Sequence, residues 1–582
     1  MKRTAFVVFL LLTMAGSAYG QGYRTMSVWQ NGKTKDYSLL TFDSLVAGQH
    51  EGKAVVHYEN AGYTKNKVDS LALADIDSVT VSVPDVESTN MRTVKELMVE
   101  FKKLKVRDVS YKKIGNHNPL MGHKFGADPF GMVDGGRLYV YMTDDHIYKS
   151  NGQPVGDSDY SDCKNVSIIS SDDLVNWTDH GAQPVAGLNG GTGPAKWANN
   201  MWAPCAAHKT IGGKEKYFLY FADNASGIGV LTADTPYGPW SQPSGMNQLI
   251  SKSTANCGDV TWLFDPAVLI DDDGKAYLYF GGGVPSGKDA DPGTARCVQL
   301  GDNMTSIVGT PQKINPPYLF EDAGINKVGG KYLYSYCSNW TGNNGPGVAN
   351  IAYMESDSPL GPFSYVGRCF DNPGNASWAG GGGNNHHAIV KFSGKYYILY
   401  HTRALKSTMR ADNSDITNGM EVRSACISRI SVDEESARIT NLSASSITVE
   451  GVTQLKNFNP YRTVPGATMA WCKDITTKYF KLGSDWVCTA EMKAGSWMCL
   501  SNVDFGDGAI GFKAKVKGNG ILGITYGYPG SSGEQVAIAD VDASSEYKEI
   551  QVPLLAPTKG VKAELFITST GNISVESWSF IR

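Results

Sequence analysis

Carboxylates stand at the start of three similar segments of the chain. Asp128, Asp265 and Glu321 each precede a short apolar strand, a turn with glycine and an aromatic-rich strand, as in FDPAVLIDDDGKAYLYFGGG from Phe264. A repeated structural unit has no need of an acid at this position, where a small residue would serve. Their recurrence at the start of three segments therefore indicates one shared site.

Three carboxylates that meet in one pocket push their pKa values apart, because like charges a few ångströms apart cannot all ionise. One group then keeps its proton as a general acid, while another is ionised and acts as a general base. Two such groups on either side of a neutral sugar are what glycoside hydrolysis requires, with a gap of about 6.5 to 9.5 Å in an inverting enzyme. Aromatic residues, 10% of the chain, are typical of surfaces that stack on sugars.

Five copies of one unit must bring these acids together. The copies begin at residues 128, 202, 265, 321 and 386, at intervals of 74, 63, 56 and 65 residues. Outer-strand phrases such as TADTPYGPWSQP lie between them and complete each unit. Repeats of this length with antiparallel hairpins predict a five-bladed β-propeller over residues 108–440, whose innermost strands converge on one axis.

The rest of the chain predicts two smaller β domains, so the fold class is all-β. Residues 1–20 are typical of a secretory signal peptide with cleavage near Gly20, and we expect an exported protein. Residues 21–84 predict a small N-terminal β domain, and residues 85–107 predict a linker with a short amphipathic helix. Residues 445–582 predict a C-terminal antiparallel β-sandwich.

Composition excludes several classes of partner. The 53 basic and 57 acidic residues leave a net charge of -4, so no nucleic-acid surface is expected. After the signal segment no stretch approaches the roughly 18 apolar residues of a membrane span. We expect a neutral partner and no organic cofactor. The ten cysteines lack Cys-x-x-Cys pairs and leave a disulfide framework and buried free thiols as alternatives.

Several motifs together resemble glycoside hydrolase family 43, in particular its arabinofuranosidase and xylosidase members that act on arabinoxylan. They are HKFGADPF, MWAPC, FDPAVLIDDDGKAYLYFG, FEDAGINKVGGKYLYSY and NNHHAIVKFSGKYYILYH, within about residues 115–435. The resemblance implies Asp128 as the general base and Glu321 as the general acid. It implies that Asp265 tunes the pKa of the acid and orients it.

The same resemblance suggests further site residues. His386 matches a channel histidine that faces calcium or water, so calcium on the propeller axis is the cofactor expected. Arg423 matches an arginine near the active site and is expected to bind substrate, and Trp202 is either a substrate platform or a core residue. Many members have aspartate where this chain has Cys205, which predicts a different substrate contact.

The C-terminal domain resembles carbohydrate-binding module family 6 through NVDFGDGAIGFKAKV and SVESWSF. The closing phrase of that family carries a sugar-binding asparagine two positions before an aspartate, where this chain has Ser574 and Glu576. Trp471, Trp497 and Tyr547 are candidates for stacking on a glycan.

These features predict an exported inverting glycosidase that releases α-L-arabinofuranosyl groups from arabinoxylan or arabino-oligosaccharides, with plant cell-wall polysaccharide as its partner. A β-xylosidase or an endo-arabinanase is the nearest alternative. A non-catalytic glycan-binding propeller and an adhesion protein with residual hydrolysis are alternatives from other classes. The desolvation cost of gathered carboxylates argues against a pure binder. In the fourth copy, the alternative is that Asp322 rather than Glu321 points inward.

Overall fold

The structure, a computed structural model, describes six strands between residues 25 and 82 and residues 86–582 apart from seven short gaps. The gaps are residues 108–109, 151–152, 158–159, 340–344, 383, 413–421 and 531–532. The predicted signal peptide lies outside the described residues. Within the described part of the chain, no helix is long and apolar enough to cross a membrane.

The chain divides into two units. One contains Met1–Asp108, Asn457–Thr476 and Thr489–Arg582, and the other contains Val109–Lys456 and Thr477–Cys488. The second unit holds all five repeats and is therefore the propeller unit.

Six short strands open the first unit, and they are β1 (Thr25–Gln30), β2 (Lys33–Ser38), β3 (Phe42–Ala47), β4 (Lys53–Glu59), β5 (Asn66–Ala72) and β6 (Ile76–Ser82). They form two antiparallel sheets with the strand orders β2-β1-β6 and β3-β4-β5. The predicted short helix follows as α1 (Val94–Phe101). Thr93 and Glu96 form a capping box at its start, and Leu97 and Phe101 are buried against apolar residues of the C-terminal sheet.

The predicted five-bladed propeller is confirmed, and each blade is an antiparallel sheet whose strands follow one another in sequence. The first blade contains β7 (Ala127–Asp134), β8 (Arg137–Thr143), β11 (Asn165–Ser171) and β12 (Trp177–Pro184), with the hairpin β9 (Ile147–Ser150) and β10 (Gln153–Asp157) inserted after β8. The second contains β13 (Trp202–Ile211), β14 (Lys214–Ala222), β15 (Gly227–Ala233) and β16 (Ile250–Ser251). The third contains β17 (Ala267–Ile270), β18 (Ala276–Phe280), β19 (Ala295–Leu300) and β20 (Ile307–Ile314).

The last two blades complete the ring. The fourth contains β21 (Leu319–Val328), β22 (Lys331–Ser338), β23 (Ile351–Ser356) and β24 (Ser364–Phe370). The fifth contains β25 (His387–Phe392), β26 (Lys395–Thr402) and β27 (Ser424–Arg429), with helix α2 (Ala404–Asp412) between β26 and β27. A small hairpin of β28 (Val432–Asp433) and β29 (Arg438–Ile439) follows.

A hydrophobic cluster fills each of the five interfaces between neighbouring blades. Tyr141 and Phe221 lie in the cluster between the first and second blades. Leu138 and Leu399 lie in the cluster between the fifth and first blades, so burial of apolar surface closes the ring.

Hydrogen bonds from the segment before the first blade stabilise the closure of the ring between the first and fifth blades. The side-chain amide of Asn118 donates to the carbonyl of Ile427, and the Ile427 amide donates to Asn118 Oδ1, both at 2.9 Å. The Gly126 amide donates to the carbonyl of Arg423 at 2.9 Å. These bonds bring the main-chain segments that carry Asp128 and Arg423 side by side.

In each of the first four blades, a residue with a left-handed backbone lies close to the start of the inner strand. The φ angle is +49° at Asp128, +41° at Ala203, +52° at Asp265 and +70° at Asp322. Aspartate adopts this conformation more readily than most residues, because its short polar side chain bonds locally. The sequence alignment of the copies placed residues 202 and 321 at this position, but Ala203 and Asp322 occupy it. The alignment is therefore wrong by one residue in the second and fourth blades.

The C-terminal domain is an antiparallel sheet that curls around one core. Its strands are β30 (Val464–Pro465), β32 (Trp471–Lys473), β34 (Asp485–Met492), β35 (Trp497–Asp504), β36 (Ala509–Tyr526), β37 (Glu534–Thr558), β38 (Val561–Ser569) and β39 (Asn572–Ile581), and the same part of the sequence also contains the strands β31 (Thr468–Met469) and β33 (Thr476–Leu482). The order is β32-β35-β38-β36-β39-β34, and β37 pairs with β36. Gly518 has a φ of +118° where the pairing of β36 shifts register, and a side chain there would collide with the Asn572 carbonyl.

None of the ten cysteines forms a disulfide in the structure; nine are buried and Cys488 is half-buried. The interpretation as buried thiols is therefore confirmed, and the alternative of a disulfide framework is wrong.

Buried Asp179 in β12 holds the segment 477–488 within the propeller unit. Its carboxylate accepts from His123 Nε2 at 2.9 Å, Lys124 Nζ at 2.5 Å, the Gly181 amide at 2.8 Å and Thr477 Oγ1 at 2.8 Å. The Asp179 side chain is 0% exposed. One carboxylate thus satisfies four donors from three separate segments.

Replacing Asp179 with alanine should lower the free energy of unfolding by about 3–5 kcal/mol, because Lys124 loses its buried counter-charge. The control Thr477→Val removes one of the four hydrogen bonds and should lower it by about 1 kcal/mol. Urea denaturation followed by tryptophan fluorescence measures both. A loss for Asp179→Ala no larger than that for Thr477→Val would contradict the role of Asp179.

Candidate active site

Asp128 is held as an ionised carboxylate at the start of the first blade. Arg423 Nη1 donates to its Oδ1 at 2.8 Å, and Thr143 Oγ1 donates to its Oδ2 at 2.7 Å. Burial alone would raise the pKa of Asp128, but the charge of Arg423, followed by His386 and the hydrogen bond from Thr143, lowers it to about 2. Asp128 is therefore ionised at neutral pH and able to accept a proton.

Arg423 is itself fixed by a second buried acid, Asp145. Arg423 Nε and Nη2 donate to the two Asp145 oxygens at 2.9 and 3.0 Å, and the Arg423 amide donates to Asp145 Oδ2 at 2.8 Å. This two-pronged pairing sets the plane of the guanidinium. The arginine that the sequence analysis assigned to substrate binding therefore contacts the candidate base directly.

His401 supports Asp128 from the fifth blade as a neutral imidazole. Its Nδ1 accepts from the Asp128 amide at 3.1 Å, and its Nε2 donates to the Asn384 carbonyl at 2.9 Å. Burial and the nearby Arg423 lower the pKa of His401 to about 3. The histidine thus fixes the backbone of Asp128 without adding a charge.

Glu321 and Asp265 have the opposite electrostatic environment. Burial, followed by the charges of Asp265, Asp128 and Asp322, raises the pKa of Glu321 well above its usual value. Burial likewise raises the pKa of Asp265 to about 7. Glu321 Oε1 is buried without a hydrogen-bond partner among the described residues. Glu321 therefore retains its proton at neutral pH.

Asp322 also points to the axis, and it lies deeper than Glu321. It is 0% exposed, whereas Glu321 is half-buried. The Asp322 amide donates to Asp265 Oδ2 at 2.8 Å, and Asp322 Oδ2 accepts from the His387 amide at 3.1 Å. Glu321 and Asp322 were alternatives for the acid that points inward from the fourth blade. Both acids belong to the site, so the two orientations are not exclusive.

His386 lies among three carboxylates. Its Nε2 is 3.1 Å from Asp322 Oδ1, and its Nδ1 is 3.6 Å from Asp128 Oδ1 and 3.9 Å from Asp265 Oδ2. Both ring nitrogens therefore face acid oxygens. Among the described residues, no group of three or more His, Cys, Asp or Glu side chains could hold a metal ion. Calcium on the propeller axis therefore stays a prediction.

Two aromatic side chains flank the acids. Trp202 is half-buried, its indole N–H donates to the Tyr160 carbonyl at 2.7 Å, and the two rings meet edge to face at 6.1 Å. The Tyr160 ring is 47% exposed, and the Arg423 guanidinium lies 5.6 Å from its centre. Trp202 and Tyr160 thus form an aromatic corner beside Arg423 that can contact a sugar.

Three residues that were linked to ligand contact lie in hydrophobic cores instead. Cys205 is 0% exposed in the core between the second and third blades, so it does not contact substrate. Trp471 and Trp497 are 3% and 1% exposed and cannot stack on a glycan. Tyr547 is half-buried, shares a 2.7 Å hydrogen bond with Ser574 and lies 4.7 Å from Lys517 Nζ.

The site also contains Thr143, Asp145, His401 and Tyr160, which the sequence motifs did not predict. The first three lie at or just after the ends of second strands, in YMTDD and YYILYHTR. Because adjacent strands are antiparallel, a second strand ends at the same edge of the blade where the first begins. That rule identifies these positions as neighbours of the acids, whereas no comparable signal identifies Tyr160.

Replacing Glu321 with glutamine should raise the melting temperature, and the gain should grow with pH. The folded pKa of Glu321 lies above its usual value of 4.5, so its stabilising contribution is complete below that value and is lost as pH rises through the folded pKa. Glutamine cannot ionise. Calorimetry at about pH 4 and about pH 8 measures the difference, with exposed Glu549→Gln as control. A gain that does not depend on pH would contradict this environment for Glu321.

Residues 117–435 match the family described as Glycosyl hydrolases family 43. An arabinoxylan arabinofuranohydrolase of Bacillus subtilis (strain 168) is 42% identical over 494 residues, which cover 81% of this chain and 93% of that protein. An arabinoxylan arabinofuranohydrolase of Paenibacillus polymyxa is 41% identical over 486 residues, which cover 80% of this chain and 74% of that protein.

A solved structure shows the same likeness. The crystal structure of a glycoside hydrolase family 43 arabinoxylan arabinofuranohydrolase from Bacillus subtilis in complex with cellotetraose aligns with a TM-score of 0.74 at 39% identity. The alignment covers 81% of this chain and 99% of that chain. The environments of Asp128 and Glu321 are those of a base and an acid. Together with the family match and these relatives, they show that the chain belongs to glycoside hydrolase family 43 and is a glycosidase.

Proposed function

We propose that the protein is an exported, inverting enzyme that releases α-L-arabinofuranosyl groups from arabinoxylan or arabino-oligosaccharides. The observation that carries the proposal is the contrast between Asp128, which accepts hydrogen bonds from Arg423 and Thr143, and Glu321, which lies near several acids and whose buried Oε1 has no hydrogen-bond partner among the described residues. The two relatives named for arabinoxylan support the substrate. The signal-peptide pattern of residues 1–20 supports export.

In the proposed reaction, Asp128 takes a proton from a water molecule whose oxygen attacks the anomeric carbon. The bond between that carbon and the glycosidic oxygen breaks as Glu321 gives its proton to the leaving oxygen. The products are arabinose of inverted configuration and a free hydroxyl on the polysaccharide. Afterwards Asp128 returns its proton to solvent, and Glu321 is reprotonated.

Arg423 and Asp265 keep the two roles apart. Arg423 bonds to Asp128 and keeps the base ionised until water delivers its proton. Burial of Glu321 and the nearby carboxyl groups, Asp265 foremost, disfavour a charge on Glu321 and keep the acid protonated before the reaction. This separation gives a bell-shaped dependence of kcat/KM on pH, which falls below the pKa of Asp128 and above that of Glu321.

The same acids would serve a β-xylosidase or an endo-arabinanase of this family, and the sugar released distinguishes them. Glycan binding by the C-terminal domain is a separate proposal. Tyr547 supports it as the one candidate aromatic of that domain that is not fully buried.

Asp128→Asn should lower kcat by roughly 100-fold to 10,000-fold, because the general base is lost while the shape of the side chain is kept. The assay measures arabinose release from arabinoxylan, and NMR of the first-formed anomer tests inversion. Asp302→Asn, at a side chain that is 100% exposed, is the matched control and should retain full activity. Xylose release would favour the β-xylosidase alternative, and binding without turnover would favour the non-catalytic one.

Glu321→Gln should lose least activity toward aryl α-L-arabinofuranosides with good leaving groups, because these need little protonation. Its activity toward arabinoxylan, whose leaving group is a sugar hydroxyl, should fall much further. Comparing kcat/KM across aryl leaving groups of graded pKa measures the effect. Equal losses for all leaving groups would count against Glu321 as the acid.

A further inference from the structure

Asp322 is a buried acid that the reaction described above does not use. Its Oδ2 accepts from both the amide and Nδ1 of His387 in the fifth blade, and its Oδ1 lies 3.1 Å from His386 Nε2. Its own amide donates to Asp265 in the third blade. A single residue therefore connects three consecutive blades at the axis.

The conformation of Asp322 also determines where Glu321 points. The left-handed backbone at Asp322, with a φ of +70°, coincides with a shift of the strand register between Glu321 and Gly324. The two adjacent acids consequently occupy different layers, with Asp322 in the interior and Glu321 partly exposed. Any residue that disturbs this turn also displaces the candidate general acid.

We propose that Asp322 is a positioning residue for the acid side of the site: its amide orients Asp265, and its buried charge and turn hold Glu321 in its orientation and protonated state. This inference rests on the proposed function, because it concerns the same acid. It assigns to Asp322 no contact with substrate.

The proposal assigns a role to the charge of Asp322, which side-chain packing at the propeller axis would not require. The groups that influence Glu321 come from several blades and include Asp128, Asp265, Asp322, Arg423, Tyr160 and Cys337, while His386 lies beside the first three of these acids. Arg423 is the cation among them, and Asp322 is the acid adjacent in sequence. An asparagine would keep an oxygen for the His387 amide and would tolerate the left-handed backbone, but would remove the charge.

Asp322→Asn should therefore lower kcat/KM toward arabinoxylan on the order of tenfold at neutral pH, with a smaller loss toward an aryl arabinofuranoside with a good leaving group. The basic limb of the pH profile should move to lower pH, because Glu321 loses a negative neighbour. The matched control is Ser335→Ala, since Ser335 Oγ bonds the other ring nitrogen of His387 at 2.8 Å. It should lower the melting temperature without moving the basic limb.

A basic limb in Asp322→Asn that stays at the wild-type pH, or moves no further than in Ser335→Ala, would overturn the proposal. If Asp322→Asn does not fold, two variants of its partner provide the test. His387→Asn keeps an N–H donor near the place of Nδ1, and His387→Leu removes it. The leucine variant should lose more activity toward arabinoxylan, relative to the aryl substrate, than the asparagine variant, and equal losses would overturn the proposal. Wild-type protein inactive on both substrates would instead refute the proposed function.

Discussion

The crowding of carboxylates at the propeller axis is the constraint on which the rest of the site depends. Asp128, Asp265, Glu321 and Asp322 converge there, and burial alone would raise the pKa of each of the first three. Such a cluster is unfavourable unless its charges are distributed unevenly. Arg423 supplies this asymmetry, because it bonds to Asp128 alone among these four acids.

The same acids also connect the blades. In four of the five junctions, an amide at the start of an inner strand donates to a side chain of the preceding blade. The pairs are Ala203 to Thr143, Asp322 to Asp265, His387 to Asp322, and Asp128 to His401. Asp265 and Asp322 therefore act as acceptors between blades as well as charges in the site. Because one side chain serves both purposes, the geometry of the site and the closure of the ring depend on each other.

The repeat made much of this arrangement predictable. The five copies predicted the blades, and the acids of the first and third copies fall at equivalent positions. The offset between Glu321 and Asp322 was not predictable from the alignment, because a left-handed residue changes the register without changing the composition. Partners such as Asp145 and His401 come from second strands, which the search for acids at strand starts did not consider. Trp471 and Trp497 show a further limit, because alternation reveals two faces of a strand but not which face is buried.

In a perfectly symmetric propeller, carboxyl groups at equivalent positions would have equivalent surroundings. Symmetry alone therefore cannot make one of them an acid and another a base. Here two departures from symmetry make the distinction. Glu321 comes from the position before the left-handed residue, whereas Asp128 occupies that position itself. The segment before the first blade also lies against the fifth, which brings Arg423 to Asp128, while Asp145 from the first blade fixes its guanidinium. The general base therefore lies where the ring closes, because the first blade and the distant segment that carries Arg423 meet there at the Asp128 carboxylate.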